Sequence, residues 1–264
     1  MDSQFVLRLA LSFVVGGVWV VAATVLADKL GPKVGGLVSG LPSTVALGLF
    51  FLAWTQNPGT AVQAAAVVPL VAGVNSLFIA NYACFVRKDF RLAVLSSLSL
   101  WFILTSIVVK ARFDNFAVSL IAFGFLFLLS VFLMEKVFKI VSVQGKVVRY
   151  TPRLILARAL LGGLAVSFAV FAGKAGGPLW GGIFSTFPAM FISTMLVTYF
   201  AQGPAFSAGV MKSTMLGGLS VAVYAIVVRL AYHPTGVWAG TFIALLVSFG
   251  SGGAIYQFII RRTR

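Results

Sequence analysis

The sequence predicts an all-α, polytopic membrane helix bundle of nine spans, built as two four-span inverted-topology repeats joined by a connector helix. Three observations predict it. Hydrophobic residues make up 60% of the 264-residue chain and charged ones only 9%, with a mean hydropathy of +1.06. That leaves too little polar surface to cover a water-soluble globule. One stretch is also written twice: GPKVGGLVSGLPSTVALGLFFLAWTQNP (31–58) returns without a gap as GPLWGGIFSTFPAMFISTMLVTYFAQGP (177–204), a shift of 146. Between 16 and 58 twelve positions are identical under that shift, where chance would give roughly three or four in so apolar a chain. Finally, the Lys and Arg residues that produce a net charge of +15 sit in short clusters between apolar runs. That pattern fits membrane phosphates as partners and argues against nucleic acid.

The first span covers about 5–27, long enough to cross a ~30 Å hydrocarbon core. Its ending Val25-Leu26-Ala27 imitates a signal-peptide cleavage site, but the segment aligns with 151–173 and belongs to the repeat. The second span, about 34–55, opens on Gly-Gly-x-x-Ser-x-x-Pro. The third, about 61–85, carries Gln63, Pro69, Asn75 and Asn81, a polar load expected to face the bundle interior. A fourth span lies near 92–109. The fifth, about 116–134, has no counterpart under the shift and reads as the connector. After the basic stretch 135–153 come spans at about 154–173, 178–200, 205–228 and 236–260. The units are therefore 1–112, a connector with its basic loop at 113–150, and 151–264.

Orientation follows from the basic residues. One side collects Lys29, Lys33, Arg87, Lys88, Arg91, Lys136, Lys139, Lys146, Arg149, Arg153, Arg261, Arg262 and Arg264; the other has Arg8, Lys110, Arg112, Lys174 and Arg229. Thirteen against five makes the first side cytoplasmic, with the N-terminus outside and the C-terminus inside a plasma or inner membrane. Anionic lipid headgroups are the expected partners at that cytoplasmic rim. An odd connector turns the second repeat upside down, so the two signatures approach the midplane from opposite faces, an arrangement that recurs in transporters.

In the signature, Gly35, Gly36 and Ser39 share a helix face, as do Gly181, Gly182 and Ser185, so backbones can approach closely. Pro42 and Pro188 each remove an N–H and free a carbonyl, near residues 38 and 184, that lipid cannot satisfy. Hydroxyls of Ser39, Ser43, Thr44, Ser185 and Thr186 are expected to serve these carbonyls and, with Gln63, Asn75 and Lys212, to bind a solute in a midplane cavity. Two readings stand side by side: a tight helix-crossing motif, or that polar cavity. Lys212 likewise either snorkels to headgroups or holds an anion, since no acid in its own span neutralises it.

GGLVSGLPSTVAL and GGIFSTFPAMFIS resemble the small four-span GlpM-type membrane proteins, in which a Gly-rich first span leads to an Ala/Gly-Gly-Leu followed shortly by a Phe-Pro or Leu-Pro pair. The resemblance covers both halves but not the connector, and it implies a fold more than an activity. The plan is also similar to fused fluoride channels, although their Gly-Gly-x-Thr-Thr-Phe-Ser signature is missing.

The five acids, Asp2, Asp28, Asp89, Asp114 and Glu135, fall in tails, loops or span ends, so no midplane carboxylate is placed to relay protons or hold sodium. One histidine, His233, and one cysteine, Cys84, offer neither a metal cluster nor a disulfide. No enzyme activity, metal or cofactor is expected. The expectation is a transporter or channel for a small solute, anions favoured, with a homo-oligomer open; the alternative is a scaffold or lipid-binding accessory protein.

Overall fold

In a computed structural model, residues 3–141 and 151–262 are described, without the side chains of residues 24, 27–33, 36–37, 255–256 and 258–262. Lys146 and Arg149 of the basic loop, and the side chains of Asp28, Lys29, Lys33, Gly36, Arg261 and Arg262, therefore lie outside the description, as do Asp2 and Arg264. The described chain is all-helical: α1 (Ser3–Gly40), α2 (Ser43–Thr55), α3 (Pro58–Ala64), α4 (Val68–Phe85), α5 (Phe90–Lys110), α6 (Phe116–Phe132), α7 (Pro152–Gly176), α8 (Pro178–Ser185), α9 (Ala189–Gly217) and α10 (Leu219–Arg262). A π-helical turn, Leu133–Val137, extends α6.

Helix ends at the polar loops follow local rules. The side chains of Asn57, Asp89, Asn115 and Thr151 accept from the third backbone N–H beyond, at 2.9, 2.7, 3.1 and 3.4 Å, and so cap α3, α5, α6 and α7. Pro58, Pro152 and Pro178 take first-turn positions, where a missing N–H costs nothing. Within the second half the chain turns at Gly177, Gly203 and Gly236, whose φ angles of 89°, 84° and 78° suit glycine alone.

Seven runs among the described residues are long and apolar enough to cross a membrane, making this a multi-pass membrane protein. The last run, 178–254, is interrupted at Gly203 and Gly236. The third span expected from sequence is two helices, α3 and α4, separated by a turn at 65–67. The second starts at Ser43, because the signature proline ends α1 at Gly40 instead of bending it.

Nor is α1 a straight rod. At ~1.5 Å per residue its 38 residues would extend ~57 Å. Yet Phe5 shares a cluster with Phe50 and Phe51 of α2, the Arg8 guanidinium covers Trp54 at 5.0 Å, and Gly40 lies three residues before α2 begins. The helix therefore bends between its ends.

The two halves pack on each other reciprocally. A Cβ on Gly16 would meet Val166, and one on Gly162 would meet Val20. Gly17 faces Ala159, while Gly163 faces Phe13. Each contact becomes the other when 146 is added to one partner and subtracted from the other, the mark of a two-fold relation. α4 is the most enclosed long helix, with 14 of its 18 residues buried, whereas α6 presents Ile121, Phe125 and Leu128 outward, as lipid contact demands.

Gly182 lies where the expectation of close helix contacts puts it. A Cβ there would land on the Ala64 carbonyl, with Val67 Cγ1 at 2.6 Å. Gly182→Val should destabilise by overpacking, about 1–3 kcal/mol or more. Gly124→Ala, where a Cβ meets nothing within 4 Å, serves as the matched control. Thermal unfolding in detergent should show a lowered midpoint for the first and none for the second.

Candidate functional site between the two helix breaks

The chain breaks twice at equivalent places, Leu41–Pro42 and Thr186–Pro188, and a cavity of about 40 Å³ lies between them. Its walls include six repeat-equivalent pairs: Gly40 with Thr186, Leu41 with Phe187, Thr44 with Met190, Val45 with Phe191, Ala72 with Gly218, and Asn75 with Val221. A two-fold axis relating the halves therefore runs through the cavity. The space suits one or two waters or a small ion.

Each break must dispose of backbone groups that a helix would have paired. Phe187 N–H donates to Phe184 O at 3.1 Å, and Leu41 N–H to Val38 O at 3.2 Å, so tightened turns serve the carbonyls near 184 and 38. Ser39 Oγ donates to Gly35 O at 2.9 Å, Ser185 Oγ to Gly182 O at 2.8 Å, and Thr186 Oγ1 to Ile183 O at 2.6 Å. The Thr186 carbonyl is helped from outside the break. Asn75 Nδ2 donates to it at 2.8 Å from α4, and Asn75 Oδ1 accepts from Trp101 Nε1 at 2.9 Å. Because an indole can only donate, Trp101 fixes which end of the amide faces which partner. Trp101 itself is fully buried.

The hydroxyls of Ser43 and Thr44 are different. Both residues are buried and line the cavity, yet no protein partner for either hydroxyl is found among the described residues. They are the groups free to meet a ligand. Ser39, Ser43, Thr44, Asn75, Thr186 and Pro188 thus come together around one space.

Ser185, Gln63 and Lys212 do not join them. Ser185 packs under Gly48 of α2, so it does not face Ser39 across the cavity. Gln63 lines a larger depression of about 940 Å³ at the end of the bundle where α7 finishes and α8 begins. Lys212 Nζ pairs with Glu135 at 3.0 Å and donates to Ile140 O at 3.1 Å. The acid missing from the lysine's own span is supplied by the π-helical turn after α6, which removes the reason for reading Lys212 as an anion site.

Sequence reasoning passed over Arg158. It is 1% exposed in α7, and its Nη2 lies 3.4 Å from Thr194 Oγ1, one helical turn beyond Met190 of the cavity wall. An arginine inside an apolar run is a legible signal; its depth in the bundle is not.

The two ends of the bundle close differently. On the side of the α4–α5 loop, Tyr82 Oη, Ser207 Oγ and Thr198 Oγ1 form a buried hydroxyl chain with steps of 2.7 and 2.7 Å. Their equivalents toward the other end are Val228, Ala61 and Leu52, all fully buried and apolar.

Residues 9–114 and 155–261 each match one family, described as a protein of unknown function, DUF3147. The chain belongs to that family. It carries two copies of the family unit, with the connector outside both. No match is found among curated proteins, and none among solved structures.

Asn75→Leu strands the Thr186 carbonyl and the Trp101 N–H, at about 1–3 kcal/mol for each buried group left unpaired. The thermal midpoint should fall, and adding Trp101→Phe should recover part of the loss, since the indole N–H is then gone. For Lys212 and Glu135, a double-mutant cycle with Lys212→Met and Glu135→Gln should return a coupling of only about 0.5–1 kcal/mol, because the acid is half exposed.

Proposed function

We propose that this protein moves a small, anionic solute across a plasma or inner membrane through the cavity between the two helix breaks. The observation that carries the reading is the lining of that cavity by equivalent positions of both halves, the place where repeat-built transporters bind their cargo. Ser43 and Thr44 offer unengaged hydroxyls, and no acid is found among the described residues of the wall. A space of about 40 Å³ passes nothing but the smallest solutes without rearrangement, and α8, held between Gly177 and Pro188, is the short element suited to move.

In this reading Gly203 and Gly236 divide the last apolar run into three crossings. The bundle then has nine, its repeats are inverted, the N-terminus lies outside, and the C-terminus lies inside. The likeness of the Gly-Gly to Pro motif to GlpM-type proteins adds no substrate. A scaffold or lipid-binding accessory protein is the competing reading, favoured by how small the cavity is.

Purified protein in liposomes, assayed against a panel of small anions and neutral solutes, tests the reading. Flux of at least one anion should exceed that of protein-free vesicles, and Ser43→Ala/Thr44→Val should lower it roughly tenfold, the equivalent of one or two lost hydrogen bonds. No flux of any solute, with the protein folded, would favour the scaffold. Cysteine labelling of position 88 from outside intact cells would overturn the orientation.

A further inference from the structure

The depression that contains Gln63 is a second site, separate from the cavity. Its charged walls are Lys110 and Arg112 at the end of α5, Arg229 of α10, and one acid, Asp114. Three cations against one carboxylate leave a net charge of about +2 on the wall, in a concave space of about 940 Å³. Arg229 is the built part of it. Its Nη1 donates to Val62 O at 2.9 Å and its guanidinium lies 4.6 Å over the Phe116 ring, which fixes its position without neutralising it. Among the described residues no ion pair joins Asp114 to any of the three cations. Trp180, held by stacking on Phe184 at 5.9 Å, gives the same space an apolar wall.

We infer that this depression binds a phosphate-bearing organic anion, with the phosphate between Arg229, Arg112 and Lys110 and the carbon skeleton against Trp180. Two guanidinium groups and an ammonium lining one space suit phosphate oxygens, which accept several charge-assisted hydrogen bonds at once. A free organic phosphate and a phospholipid headgroup share this chemistry. Binding here does not depend on transport. A role as the entry to the cavity does rest on the transport reading, and it draws on α8, which carries Trp180 at the depression and leads to Thr186 at the cavity, ~9 Å further along the helix.

The test uses the full chain in maltoside micelles, with sn-glycerol 3-phosphate and, separately, phosphatidylglycerol as probes and phosphatidylcholine as control. Tryptophan emission and thermal midpoint report binding. Saturable binding of glycerol phosphate or of phosphatidylglycerol is expected, and the probe that binds identifies the source. Lys110→Gln/Arg112→Gln, at exposed positions, should weaken it about tenfold or more, and Arg229→Gln should abolish it; Arg229→Lys, which keeps the charge but not the fork, should fall between. Unchanged affinity in the folded double variant, or no saturable response to either probe, overturns the site. Binding that survives in a protein that transports nothing would leave the site standing and remove its role as an entry.

Discussion

Everything at the centre of this bundle depends on one hydrogen bond, from the Asn75 amide to the Thr186 carbonyl. A helix broken inside an apolar environment exposes backbone groups that no solvent will satisfy. Most of that load is taken locally, by tightened turns and by the hydroxyls of Ser39, Ser185 and Thr186 folding back on their own helices. The Thr186 carbonyl is served differently: the side chain that reaches it comes from the other half of the molecule, more than a hundred residues away. Trp101 then holds that side chain in place. The break can persist because α4 and α5 are packed where they are.

The symmetry of the backbone is thus not a symmetry of chemistry. Opposite Asn75 stands Val221, opposite Arg158 stands Ser12, and opposite the hydroxyl chain of Tyr82, Ser207 and Thr198 stand Val228, Ala61 and Leu52. One half keeps the polar work at the break, the other the buried cation. The shared small residues and prolines hold the common backbone path, while the differing residues give the two ends of the cavity unlike walls.

Much of this was legible in the sequence, for definable reasons. Repeat, helix class and glycine crossings follow from residue identity under a single shift, and Gly182 lies at the tight contact its pattern implies. The proline positions located the breaks to within a few residues. What pattern alone could not supply was partnership across the chain. Nothing near Lys212 in sequence announces Glu135, 77 residues earlier, and nothing near Thr186 announces Asn75. Ser185 and Ser39 are equivalent by the shift yet meet different neighbours: Ser185 packs on Gly48, while Ser39 lines the cavity. Arg158 was visible as a charge in an apolar run, but its burial is a property of how α7 packs on α9.

The exchanged contacts at Gly16, Gly17, Gly162 and Gly163 have a consequence for assembly. A single copy of the family unit on its own would leave that glycine face without a mate, and would have to find a second copy in the same membrane. Joining the copies through α6 converts that encounter into an intramolecular one, with a local concentration set by the tether instead of by expression level. It also puts both copies in one gene product, so that the two faces of the cavity become free to diverge.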